Sequence, residues 1–179
     1  MLTTKLELKS SICEACFALE RNRISSYTSS CISAIYSEDN LICVKPSGVE
    51  FDDTPSDDLP EIRLDGIIEN TCDYILHMPF YRCSPIIRSV CSVTPEWSMM
   101  FAKTGYDIPS IDLQNMHNKT YHIPCLASSI NFNGFSDEYG AVLIKSCGLF
   151  TWAPTPMEAV ELVIHAEYAA KIAFYKMTQ

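Results

Sequence analysis

Ala141-Val142-Leu143-Ile144-Lys145-Ser146-Cys147-Gly148-Leu149-Phe150-Thr151-Trp152-Ala153-Pro154-Thr155-Pro156-Met157-Glu158 is the stretch on which the fold turns. Ala141 to Lys145 is a short apolar run bounded by turn residues, as in a strand buried on both faces. Trp152 is read as following this last strand. Thr155 then offers an N-cap hydroxyl, and Glu158 supplies the acid of a capping box. Pro156 takes the first helical position, where a missing N–H costs nothing. The helix so opened is expected to run to about Met177. A buried strand leading into a long capped helix sets helix against sheet.

Working outward, residues 3–20 read as a helix with Leu6, Leu8, Ile12, Ala15, Cys16 and Leu19 on its apolar face. Cys31 to Tyr36 and Leu41 to Lys45 are strand-like, and Ser37-Glu38-Asp39-Asn40 between them is turn chemistry. Pro46-Ser47-Gly48 ends the second strand, and the acidic stretch from Glu50 to Asp58 reads as a solvated surface loop. Glu61 to Leu64 and Ile67 to Glu69 flank Asp65-Gly66, a strong hairpin signal. Thr71 to Cys83 reads as a helix that Pro79 bends or shortens. Ile86 to Val93 is an apolar, β-branched run. Thr94 is expected to cap the next helix, with Pro95 at its first position and Trp97, Met99, Met100 and Phe101 in the core. Residues 105–135 read as irregular, with short extended pieces near 108–111 and 122–127. Alternating helices and strands with two hairpins point to an α/β fold with a mixed, mostly antiparallel sheet.

The chain of 179 residues fits one domain, and its 47% apolar and 20% charged residues are those of a globular protein. A net charge of −9 repels phosphate backbones, and no Lys/Arg run offsets it, so no nucleic-acid partner is expected. No apolar run approaches the ~18 residues of a membrane helix, and the first residues lack a signal peptide's apolar core. A cytoplasmic chain without a membrane partner is the expectation. The nine cysteines are odd in number and fall mostly in apolar segments, which reads as buried, reduced thiols. Cys13 and Cys16 form a lone C-x-x-C in a helical pattern, without the second pair that a zinc site needs. No phosphate loop, metal triad or nucleophile elbow stands out.

Five segments in order resemble the class II aldolase/adducin family, and within it the L-ribulose-5-phosphate 4-epimerases. They are Ile42 to Asp52 with its Pro-Ser-Gly, Asp58 to Gly66, Thr71 to His77, Tyr121-His122-Ile123-Pro124-Cys125, and Val142 to Trp152 followed by Thr155 to Glu167. The resemblance implies a three-layer α/β/α fold with a mixed, mostly antiparallel central sheet. It implies one such domain over residues 1–179, shortened after residue 127 and at the C-terminus, where the epimerases' extension with its catalytic Tyr would lie beyond Gln179. It also implies a cyclic homotetramer if the family interface is kept. Adducin's head domain is a precedent for a protein partner.

The family's chemistry, as the resemblance implies, uses a zinc-type cation on three histidines to polarise a carbonyl and stabilise an enediolate. Those positions fall here on Cys91, Val93 and Cys147, so no metal is expected. Of the implied phosphate site, Ser47, Gly48 and Thr71 remain, while the Gly-Asn pair falls on Ser30-Cys31. Asp73 falls at the acidic position and is the catalytic candidate if the chain is active. His77 matches a helix position that packs or hydrogen-bonds. The expected reading is a degenerate, non-catalytic relative reused for binding or assembly. The alternative is a sugar-phosphate aldolase or epimerase with an altered site, in which Cys91, Cys147 and His117 or His122 hold zinc or one Cys acts as nucleophile. A Cys91–Cys147 disulfide is a further possibility.

Overall fold

A computed structural model describes residues 4–24, 30–36, 40–45, 59–65, 73–113, 119–127 and 137–179. Helix α1 spans Lys5–Arg21 and opens with a full capping box: Glu7 N–H donates to Thr4 Oγ1 and Thr4 N–H to the Glu7 carboxylate. The strands β1 (Cys31–Tyr36) and β2 (Leu41–Lys45) match the expected segments. β3 (Glu61–Arg63) pairs with β2, and the second arm of the expected Asp65-Gly66 hairpin lies outside the described residues.

The Thr71–Cys83 segment departs from the single helix expected of it. A 3-10 turn at Asp73–Leu76 leads to a short α2, Met78–Cys83, with Pro79 in its first turn. Proline is accepted there because that N–H has no intrahelical partner, so of the two expected effects Pro79 has the second: the α-helix is shortened to six residues, not bent. Strand β4 is Ser89–Val93 and helix α3 is Glu96–Thr104. The α3 cap is Pro95, one residue later than expected, and no side chain of its own segment does the capping. The Glu167 carboxylate accepts from Trp97 N–H at 2.7 Å, Ser98 N–H at 2.8 Å and the Ser98 hydroxyl at 2.7 Å. The sequence around a helix start cannot show a cap that arrives from a distant helix. Phe101 is buried, Trp97 and Met99 are half-buried, and Met100 faces solvent, against its expected place in the core.

The segment read as irregular with extended pieces near 108–111 and 122–127 has strands at both places, and they are more regular than expected: β5 (Ile108–Leu113) and β6 (Lys119–Ile123) pair as an antiparallel hairpin, and β7 (Cys125–Leu126) follows. β8 is Gly140–Ile144. β9 (Gly148–Ala153) corrects the reading that the last strand ends at Lys145, and it contains Trp152. Ser146 at φ 65° and Gly148 at φ 130° turn the chain between them. Helix α4, Pro156–Met177, begins where the capping box placed it.

Among the described residues, seven strands form one sheet in the order β3-β2-β1-β4-β9-β8-β7, antiparallel throughout except for β7 against β8. Strand alternation divides the interior into two cores. On one face Ile32, Ala34, Cys43, Cys91, Val93, Leu143 and Leu149 pack with residues of α1, α3 and α4. On the other, Ile42, Val44, Val90, Val142, Phe150 and Trp152 pack with Met78, Phe80 and Tyr81 of α2. This is the three-layer α/β/α architecture. The face that α4 turns to the sheet carries Ala159, Ala166, Ala169, Ala170 and Ala173, small side chains that let the helix backbone come close. Thr151 Oγ1 donates to Ala159 C=O at 2.7 Å across that seam. Among the described residues, no helix is long and apolar enough to cross a membrane.

Candidate functional site

One end of the sheet gathers the candidate residues through its register. β1 begins at Cys31 opposite Ser92, β2 ends at Lys45 opposite Ile32, and Val93 at the end of β4 lies opposite Leu149. The β8–β9 turn brings Cys147 and Gly148 to the same edge. A Cβ on Gly148 would stand 2.4 Å from Val93 C=O, so glycine there allows the turn to close on β4. The fold thus assembles Cys91, Val93 and Cys147, the three positions singled out in the sequence. Ser47, Gly48, Thr71 and His117 lie outside the described residues, as does the side chain of Asp73.

The three positions do not meet as ligands. Cys91 and Val93 point into the helix-side core, at 0% and 1% exposure, while Cys147 is exposed in its turn. Burial pushes the Cys91 thiol well above its ordinary pKa, with Cys16 and Cys31 adding to the shift and Lys45 opposing it. A metal takes the thiolate, and desolvation here favours the thiol. Val93 has no donor atom. Cys91 and Cys147 are both thiols, so the possible disulfide is absent, and all eight described cysteines are thiols. Among the described residues no group of three His, Cys, Asp or Glu is placed to hold a metal ion. The donor set at these positions does not fit a zinc-type cation.

His122, an alternative ligand, sits at 54% side-chain exposure, with Nε2 3.1 Å from the Asp107 carboxylate. The other oxygen of Asp107 accepts from Cys125 N–H at 2.7 Å. That carboxylate fastens the foot of the β5–β6 hairpin to β7.

Beneath the other face of β4 lies a polar chain. His77 is wholly buried, with Nδ1 2.7 Å from Ser33 Oγ and Nε2 2.8 Å from Ser92 Oγ. Ser33 Oγ also lies 2.7 Å from the Tyr81 hydroxyl. Burial lowers the His77 pKa to about 3 and raises that of Tyr81, so both groups are neutral. A neutral imidazole donates from one nitrogen and accepts at the other, and the two serines satisfy both. His77 therefore fastens the α2 layer to β1 and β4, in keeping with the expected packing or hydrogen-bonding role. Its partners Ser33 and Ser92 went unnoticed in the sequence, although both stand at the positions of their strands that face α2.

Two further polar groups are buried at this end. Lys45 is 1% exposed, and burial holds its ammonium below the usual range while nearby Cys16, Cys31 and Cys91 act the other way. Ser30 is fully buried, and its hydroxyl has no hydrogen-bond partner among the described residues. A lysine closing a five-residue apolar strand was the available signal for the first, and nothing in the sequence marks the second.

The sequence profile of the class II aldolase and adducin N-terminal domain matches residues 10–174. Among solved structures, the fold is similar to L-fuculose-1-phosphate aldolase from Thermus thermophilus, with a TM-score of 0.76 at 20% identity, covering 96% of this chain and 94% of that one. A second L-fuculose 1-phosphate aldolase gives 0.77 at 15% identity, over 99% of this chain and 89% of the other. The N-terminal class II aldolase domain of a Thermoplasma acidophilum protein gives 0.65 at 13% identity, over 97% and 95%. At such identities the likeness to these structures is one of fold.

Proposed function

Because the chain belongs to the class II aldolase and adducin N-terminal domain family, we propose that it is a non-catalytic member whose scaffold serves binding or assembly. The observation that carries this reading is the burial of Cys91 and Val93 in the helix-side core. The family's chemistry, as resemblance implies it, depends on a cation that supplies several kcal/mol of transition-state stabilisation. At the positions concerned, this chain offers a buried thiol, an alkyl side chain and one exposed thiol. What the chain retains is what builds the fold: strand register, helix caps and the Gly148 contact. The assembly meant here is self-association, as a tetramer if the family's interface is kept, or the docking of a protein partner.

A sugar-phosphate aldolase or epimerase with a cysteine-containing site is the second reading. It draws on the exposure of Cys147 at the mouth of the β8–β9 turn. Solved structures of similar fold are described as L-fuculose 1-phosphate aldolases, so that phosphorylated ketose is the substrate to try. The test is retro-aldol cleavage by the purified chain with added zinc. The expected result is no cleavage above the enzyme-free rate. Cleavage that disappears in Cys147→Ala, with the variant still folded, would establish the second reading and overturn the first.

A further inference from the structure

We infer that Lys45 is a covalent binding site for a short hydroxyaldehyde, captured as an imine on Nζ while the Ser30 hydroxyl holds the oxygen of the incoming aldehyde. Lys45 closes β2 opposite Ile32, and Ile32 stands opposite Cys91 in turn. Side chains in one such row share a face of the sheet. Ile32, Cys91 and Cys43, two residues before Lys45, all lie in the helix-side core. Lys45 therefore carries its amine beneath the helix layer, at 1% exposure. Ser30 comes two residues before Ile32, so alternation brings it to the same face, diagonal to Lys45. It is wholly buried, and its hydroxyl has no hydrogen-bond partner among the described residues. A buried hydroxyl with donor and acceptor capacity to spare suits a polar ligand atom. The surrounding Ile32, Cys16 and Cys91 are apolar, which suits a short carbon chain.

Burial acts in opposite directions on the nucleophiles gathered here. It raises the pKa of Cys16 to about 12 and that of Cys91 well above its ordinary value, which withholds the reactive thiolates. It lowers the pKa of Lys45, against the pull of Cys16, Cys31 and Cys91, and so favours the uncharged amine that attacks carbonyls. The cluster thus selects chemistry at nitrogen over chemistry at sulfur. A packing role alone would be met by methionine, of similar length, without the cost of burying an ammonium. In the capture step the amine lone pair forms a bond to the aldehyde carbon, and the carbon–oxygen π pair moves to oxygen. One nitrogen proton passes to that oxygen, giving a carbinolamine. The carbinolamine then expels its hydroxyl, which leaves as water with the second nitrogen proton. The sum is amine plus aldehyde giving imine plus water, and no redox partner enters.

This goes beyond the reading above and does not rest on it: capture needs no turnover, so a chain that cleaves no ketose still holds the aldehyde. The experiment incubates the full chain at neutral pH with glycolaldehyde and cyanoborohydride, which reduces an imine to a stable secondary amine, and locates the adduct by peptide mass spectrometry. A lysine in water is an ammonium ion at neutral pH and labels slowly. The expected result is one reduced glycolaldehyde per folded chain, on Lys45, with that preference lost in urea. Lys45→Met should abolish the fast adduct with the circular dichroism of the fold unchanged, and the peptide map of the parent chain decides the matter even if that variant fails to fold. Ser30→Ala should slow capture by roughly five- to tenfold, the worth of one hydrogen bond. Adducts confined to exposed lysines such as Lys103, Lys171 and Lys176, a folded Lys45→Met chain that labels like its parent, or a Ser30→Ala chain that captures as fast would overturn the proposal.

Discussion

His77 contributes to the fold as an uncharged ring, and this ties stability to pH with a definite sign. Its ordinary pKa of 6.5 falls to about 3 in the folded chain because burial penalises the charged form. Between those values the unfolded chain holds a proton that the folded chain does not. The contribution of His77 is therefore whole above pH 6.5 and is lost as pH falls toward the folded value. Urea midpoints measured from pH 7 to 4 should decline, and His77→Gln should flatten that decline while lowering the midpoint at neutral pH. Two glycines act at the same scale. A Cβ on Gly140 would meet the Trp152 ring at 2.1 Å, and one on Gly148 would meet Val93 C=O while φ stays at 130°. Ala at either position should cost about 1–3 kcal/mol, read as a lowered denaturation midpoint. None of this is visible in the linear order, since each contact joins segments far apart in the chain.

At the scale of elements, what was legible and what was not divides by where the information lies. Capping signals are local, so Thr155 and Glu158 fixed the start of α4, where Thr155 Oγ1 accepts from Glu158 N–H at 3.3 Å. The equivalent Thr4 and Glu7 at α1 could have been read in the same way. Helix α3 has its cap elsewhere, on Glu167. Glu167→Ala should therefore cost about 1–2 kcal/mol and speed amide exchange at Trp97 and Ser98. Exchange unchanged at those two amides would show that α3 starts without help from α4. Strand β9 escaped notice because Gly148 to Ala153 is buried on both faces and carries no alternation. The extended pieces near 108–111 and 122–127 overlap β5, the end of β6 and β7, but their full extent and the β5–β6 pairing escaped because Pro109, Asp112 and His122 depart from a strand's usual composition.

For the whole molecule, the five resembling segments carried the architecture, and the class II aldolase fold over residues 10–174 followed. The site was legible as to which residues fall at its key positions, but not as to which of them the core takes in. Only the packing of α1 and α4 over the sheet puts Cys91 out of reach of solvent while Cys147 stays in it. Thiol labelling reads this difference: Cys83 and Cys147 should react in the native chain, and Cys16, Cys31, Cys43 and Cys91 only on unfolding. The central claim, that the scaffold has lost its cation site, is tested most directly by equilibrium dialysis of the purified chain against zinc, followed by elemental analysis. The account predicts less than one zinc per chain and no change in Cys91→Ala. One tightly held zinc per chain, released by Cys91→Ala or Cys147→Ala, would contradict it.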